Sequence, residues 1–338
     1  MHSGALIPPF HYRVSWRPRS PRPGEHPASV SGEGGWFRGE RLLTDASQAR
    51  LLSVRASIRD PLRRLWVREN QQRATLDIHV VVDISRSMRV AGQGRCCQAA
   101  GDLLASAALS AYRSGDRIGA VCASARVDLR LVLAPTRALQ PALRLARTIR
   151  GLPAQAGQWR EPGLDSVDGL VDAWRRLSMR RSLVLLVSDF HAPIDTWTQV
   201  LRSLRHHQVV PVVLQDPDAT ATLPRWGLVH LDDAETGRSR SLFMRPALHR
   251  RLAEEADLRQ AQLDAMFERL GLRPCRLAPP FDPRQLTDYF HWASPLHPVS
   301  PSTQPDRPAG AAMPAGPAAV AHATAGPAGR TRQAPPGR

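Results

Sequence analysis

Two short runs constrain this chain more than any other feature. LDIHVVVD (76–83) and SLVLLVSD (182–189) are nearly unbroken apolar stretches, far too short to cross a membrane. They are also too continuous for strands with one wet face, and so predict strands covered on both sides, as in a parallel sheet between helices. QVVPVVLQD (208–216) predicts a third. Helical patterns separate them: 94–116, with Leu103, Ala107 and Ala111 in phase and Gly115 as a stop; 138–150; 164–177; and 194–207. RIGAVCAS (117–124) and VDLRLVLA (127–134) predict a hairpin. Further on come a polar edge hairpin from GLVHLDD and RSLFM, a long amphipathic helix closed by Gly271, one more strand and a short last helix. The fold class expected is α/β: an open, doubly wound, mostly parallel sheet with helices on both faces.

The ends differ from this middle. Residues 1–74 are arginine-rich and irregular or β-rich, and RPRSPRPGEHP (17–27) is proline-punctuated loop. In 295–338, proline, glycine and alanine fill 26 of 44 positions, a composition that cannot offset its ordering entropy. The expected organisation is therefore an N-terminal segment to 74, an α/β domain with a helical extension over 75–292, and a disordered tail over 293–338. No apolar run reaches membrane-span length and no secretory signal opens the chain, so the expected location is cytoplasmic, with any membrane attachment made through partners. Cys96, Cys97, Cys122 and Cys275 form no CxxC pair and read as small buried apolar residues.

The net charge of +16 contains no lysine; all 46 basic residues are arginine. Residues 1–76 hold 13 arginines against 6 acids, but over the whole chain the arginines are spread, not striped with aromatics. Attraction to acidic partners is the leading reading, and nucleic-acid binding through the arginine surplus and the tail is the alternative. Catalysis by this chain alone is not expected. It has no G-x-S-x-G elbow and no H-E-x-x-H, and a phosphate loop ending in Gly-Lys cannot exist without lysine. His191, His206 and His207 read as solvent-facing or loop residues.

The chemistry lies where the strands end. Open parallel sheets bind ligands at the carboxyl ends of their strands, and two strands here end in an acid, Asp83 and Asp189. Asp83, Ser85 and Ser87 spell D-x-S-x-S, three oxygen-bearing side chains in alternate positions just past a buried strand. With Asp189 across the rim they form a hard-oxygen set suited to Mg²⁺, neutral enough to leave the ion able to take a partner's carboxylate. The plainer alternative is that the serines cap the following turn while Asp83 binds backbone amides.

DISRSM and VSDF, on alternating strands and helices, resemble a von Willebrand factor A domain and its metal-ion-dependent adhesion site. The preceding segment, GEGGWFRGERLLTDASQARLLSVRASIRDPLRRLWVREN (32–70), resembles the one found in a bacterial family, domain of unknown function fifty-eight. Gly32, Gly34 and Phe37 fit its glycine-rich turn, Arg41 its arginine and Leu65–Arg68 its final strand. Thr44–Gln48 stand where that family has a Gly-Asp turn, and Leu51–Arg55 replace its Asp-Trp region. The resemblance implies a non-catalytic adapter, partnered by a MoxR-type AAA+ ATPase and acting like a chaperone on an unknown client protein. It also implies Mg²⁺ and a partner's acidic side chain held by Asp83, Ser85, Ser87 and Asp189. The threonine that adhesion sites of this type usually add is missing: the matching stretch is Pro162-Gly163-Leu164-Asp165, and Leu164 offers no oxygen. Either Asp165, Ser166 or Glu161 substitutes, or the ion is held more weakly.

Overall fold

Among the described residues six strands form the central sheet, side by side in the order Cys275–Leu277, Gln208–Leu214, Leu183–Ser188, Asp77–Asp83, Arg117–Ala123 and Val127–Thr136. The computed structural model describes residues 7–18, 24–32, 36–44, 51–90, 95–152, 166–215, 226–232 and 239–293. The expected tail, from 294, lies outside the described residues, as do Gly34, Asp45–Gln48, Glu161 and the whole stretch Pro162–Asp165. Strands β4 (Asp77–Asp83), β5 (Arg117–Ala123), β7 (Leu183–Ser188), β8 (Gln208–Leu214) and β11 (Cys275–Leu277) run parallel. Strand β6 (Val127–Thr136) turns back against β5, as the hairpin pattern predicted.

The two apolar runs are central because both faces are covered. Ile78, Val80 and Val82 of β4, with Leu183, Leu185 and Val187 of β7, belong to one core, with helix α3 (Arg95–Arg113) and helix α4 (Leu139–Gly151). Val81, Val184 and Leu186 face the other core, with helix α5 (Ile194–Ser203) and the C-terminal part of helix α6 (Pro246–Arg269). Alternate residues thus serve opposite layers, and neither face leaves a place for a polar repeat. Helices α3 and α4 approach closely at Gly101, where a Cβ would lie 2.7 Å from the Ala146 carbonyl oxygen. All four cysteines are buried and free, as expected.

The N-terminal part is β-rich. Strands β1 (His26–Gly32), β2 (Trp36–Leu42) and β3 (Trp66–Ala74) form an antiparallel sheet in the order β1-β3-β2, and helix α1 (Val54–Arg59) lies between β2 and β3 in the chain. Residues 7–18 are irregular, as expected, but they are fastened to the α/β domain. Phe10 is buried and stacks on Phe290 of helix α7 (Pro283–Ala293), its N–H bonds Ser110 Oγ at 2.9 Å, and Ser106 Oγ bonds the Pro8 carbonyl at 2.6 Å.

Three expectations need correcting. The helix expected over 164–177 is, in its described part, two 3-10 turns at Asp168–Leu170 and Ala173–Arg176. The Gly169 N–H is spent on Ser124 O at 2.8 Å and its Cα presses on the Arg126 backbone, where a Cβ would come within 2.5 Å; docking against the end of β5 overrides the helical pattern. The late hairpin, β9 (Gly227–Asp232) with β10 (Ser239–Met244), is a separate two-stranded sheet and not an edge of the main one. His207 is buried beside the start of β8, whereas its neighbour His206 is exposed.

Candidate functional site

From β4 the chain moves to β5 and β6 on one side of the sheet, then returns to β7 on the other side of β4. The carboxyl ends of β4 and β7 therefore border the point where connections diverge, the place where sheets of this kind leave a crevice for ligands. The register pairs Val82 with Val187, so Asp83 and Ser188 follow as neighbours across that point.

Asp83 is completely buried. Its Oδ1 accepts the Ser85 N–H at 2.8 Å and its Oδ2 accepts the Ser188 hydroxyl at 2.6 Å. Ser85 and Ser87, on the turn leading into and through helix α2 (Arg86–Val90), bring their hydroxyl oxygens to 3.1 Å of each other. Asp189 is also buried; its Oδ1 accepts the His191 N–H at 3.2 Å, and its Oδ2 lies 3.2 Å from His191 Nδ1. Oδ2 is buried with the His191 ring beside it, and as a carboxylate oxygen it has room to accept a further bond.

Burial pushes the Asp83 carboxyl well above the usual carboxylate range, and repulsion from Asp189 pushes the same way. Burial acts on Asp189 too, but hydrogen bonding and charge from His191, with the Ser87 hydroxyl, hold it below the ordinary value. Two carboxylates are thus held in one dry place, with one disfavoured by the other. Among the described residues no cluster of three or more His, Cys, Asp or Glu could hold a metal, so any cation here would depend on the serine oxygens. The paired hydroxyls, the unused Asp189 oxygen and the uncomfortable Asp83 charge fit a small, hard cation.

Four of the five expected site residues are brought together: Asp83, Ser85, Ser87 and Asp189. The fifth, Asp165, lies outside the described residues; Ser166, an alternative to it, turns its hydroxyl to the Asp168 N–H at 3.0 Å. The plainer reading of the D-x-S-x-S stretch holds in part, since Asp83 accepts a backbone amide. His191 is exposed at 66%, as expected of a loop residue, yet it is the side-chain neighbour of Asp189.

Three contributors were not among the expected site residues. Ser188 bridges Asp83 and the Phe190 N–H, the latter at 2.9 Å. Counting register from the two strand ends would have found it. Phe190 adopts a left-handed backbone (φ 57°), a conformation uncommon for a bulky residue, and packs its ring 4.3 Å from that of Trp197 and 5.4 Å from that of Phe267. Arg259 of α6 donates to the Phe190 carbonyl at 3.0 Å, to that of His191 at 3.4 Å and to that of Ala192, fastening the loop from behind. Arg259→Ala should remove about 1–3 kcal/mol of support from that loop. Hydrogen exchange at 190–192 should then quicken while the amides of β4 keep their protection; uniform exchange across both would disprove a local role.

The family described as protein of unknown function DUF58 matches residues 48–262. The chain belongs to that family. Similar DUF58 relatives include uncharacterized proteins of Mycobacterium tuberculosis and Mycobacterium bovis, each 29% identical over 247 residues, covering 71% of this chain and 73% of theirs. A protein of Paracoccus denitrificans described as "uncharacterized protein in moxR 3'region" is 38% identical over 101 residues, 30% of this chain and 96% of that one. Among solved structures, the conserved hypothetical protein BatB of Bacteroides thetaiotaomicron aligns with a TM-score of 0.37 at 11% identity, over 64% of this chain and 98% of that one. Among the described residues, no helix of this DUF58 protein is long and apolar enough to cross a membrane.

Proposed function

We propose that this DUF58 protein is a non-catalytic adapter whose rim grips an acidic side chain of a partner protein. The observation that carries the reading is the joined constellation at the divergence point: Asp83 bonded to Ser188, Ser85 against Ser87, and Asp189 with an oxygen to spare. Among the described residues none there has the relation of a nucleophile to its base: the Ser188 hydroxyl donates to a carboxylate, and no described histidine ring bonds Ser85, Ser87 or Ser188. Asp83, Ser85, Ser87 and Asp189 would hold Mg²⁺, which when bound supplies an electrophilic point for a carboxylate arriving from outside. The protein's own residues set the rest. Ser188 orients Asp83, Arg259 and the Phe190 packing set the loop that carries Asp189, and the hydroxyls keep the charge of the site low.

The partner proposed is a MoxR-type AAA+ ATPase, with which the adapter would act in chaperone-like maturation of a client. The Paracoccus denitrificans relative described as lying in a moxR 3' region supports this, as does the resemblance to adhesion-site domains. The test uses the purified ATPase from the same genome and the full-length chain, wild type and Asp83→Ala, each with Mg²⁺ or EDTA. Retention by wild type with Mg²⁺ should fall by at least about tenfold in the other three arms, a difference of about 1.4 kcal/mol. Asp83→Asn, which keeps the shape but not the charge, guards against a folding defect. Equal retention in all arms would mean that the rim is not the contact.

A further inference from the structure

Helix α1 is built inside out. Ser53 and Ser57, four residues apart, face the protein: the Ser53 N–H bonds Trp66 O at 2.7 Å, Ser53 Oγ bonds Glu40 Oε1 at 2.6 Å, and Ser57 Oγ accepts the Trp66 N–H at 2.9 Å. Val54 and Ile58, also four apart, face outward and are 60% and 78% exposed. No residue of the helix is buried. A surface helix normally has its apolar stripe underneath; here the polar stripe is underneath and the apolar one in water.

The turn after the helix extends the same surface. The buried carboxylate of Asp60 accepts the Leu62 N–H at 2.8 Å, Arg64 Nε at 2.8 Å and Trp66 Nε1 at 2.7 Å. The Arg63 N–H bonds Asp60 O at 3.0 Å, and Arg63 takes a left-handed backbone (φ 53°). Pinned in this way, the turn holds out Leu62, 70% exposed, and Leu65, 50% exposed. Arg55, Arg59 and Arg63 are exposed around these aliphatic groups, and the one acid within 51–68, Asp60, is consumed beneath them. The result is a knob of exposed aliphatic tips with exposed arginines among them in the chain.

We infer that this knob docks the protein onto an anionic lipid bilayer. Its chemistry selects that occupant. A bilayer surface takes aliphatic tips at the boundary between headgroups and acyl chains, while arginines around them meet lipid phosphates. Protein-interface hot spots favour Trp, Tyr and Arg over the aliphatic Leu that dominates these tips, and the aromatic residue here, Trp66, is held below by Asp60 and covered by Arg64, whose guanidinium lies 5.8 Å from its ring centre. The surface is separate from the strand-end rim and stands whether or not the adapter reading does.

The test is flotation of the full-length chain with phosphatidylcholine vesicles, pure or containing about one-third phosphatidylglycerol. Wild type should float with the anionic vesicles, stay behind with the neutral ones, and be released at about 1 M salt, where the screening length is about 3 Å. Ile58→Ser/Leu62→Ser leaves the charge and the Asp60 bonds in place, and should cut flotation at least about tenfold with an unchanged thermal melt. Two results would overturn the inference: wild type that does not float, or a double variant that floats as well as wild type, which would assign the attraction to net charge and, where that variant also fails to bind the ATPase, would make the knob a protein contact.

Discussion

Asp116→Ala should lower the unfolding free energy by about 3–5 kcal/mol, read as a drop in the urea midpoint without loss of cooperativity. Asp116 is buried and ties three distant parts of the chain together. Its Oδ2 accepts the Tyr12 hydroxyl and faces His26 Nε2 at 2.6 Å, and its Oδ1 accepts the Leu76 N–H at 2.8 Å. Alanine would leave a buried phenol, an imidazole and a backbone amide without their acceptor, each worth about 1–3 kcal/mol when stranded. The Tyr12 hydroxyl is firmly a donor here, because burial, then the Asp116 charge and hydrogen bond, push its pKa far up. Limited proteolysis should show early cuts within 7–26 in the variant. Asp116→Asn retains an acceptor oxygen and should lose less. An alanine variant as stable as wild type would mean that the N-terminal strap is only laid on the domain, not fastened to it.

Acid should weaken the fold before carboxylates of ordinary pKa titrate, and His79 is the main reason, with the raised Asp83 carboxyl opposing the fall. This residue is wholly buried on β4, its Nε2 accepts the Ser178 N–H at 3.2 Å, and its Nδ1 has no partner. The ring fills the space above Gly119, where a Cβ would stand 2.8 Å from Nδ1. Burial brings its pKa down to about 4 from 6.5, with His207 and Arg117 adding to the fall and Asp77 opposing it. Burial likewise lowers His207 to about 4, with His206 assisting. A lowered folded-state pKa means stability that is fully present above about pH 6.5 and lost as pH falls towards and through about 4. For His79 alone the loss is about 2–4 kcal/mol, at 1.36 kcal/mol per pKa unit. Urea midpoints between pH 7 and pH 4 should fall steeply in wild type and less steeply in His79→Leu. Identical slopes in the two proteins would remove His79 from the account.

How much of this was legible in the sequence depends on the range over which each feature is decided. The strands β4 and β7 were readable because a strand buried on both faces leaves an unbroken apolar run, and Asp83, Ser85, Ser87 and Asp189 because they sit at the ends of those runs. The 3-10 turns at 168–176 were not, since the docking of Gly169 on Arg126 that decides against a helix is a contact between segments. The burial of His207 and His79 was invisible for the same reason. Arg259 was hidden among other arginines of an amphipathic helix; nothing local distinguishes the one that reaches three carbonyls 67 to 69 positions away. The strap residues Phe10 and Tyr12 sit in a stretch whose composition announces a loop, which it is, but says nothing of the Ser110 and Asp116 it meets about a hundred residues later.

The clamp from Arg259 also sets an order of events during synthesis. Asp83 finds Ser188 only after 105 further positions have been made, and the loop beyond Ser188 gains its fastening only when residue 259 has emerged. Contacts that close such long loops form late, after local structure has already gathered. A nascent chain that stopped after β8 would hold most of the sheet yet carry an unfinished rim, its two carboxylates present but the segment bearing the second still loose. The rim proposed to meet a partner is thus finished only after most of the sheet, so a chain stopped short of residue 259 would present it without its fastening.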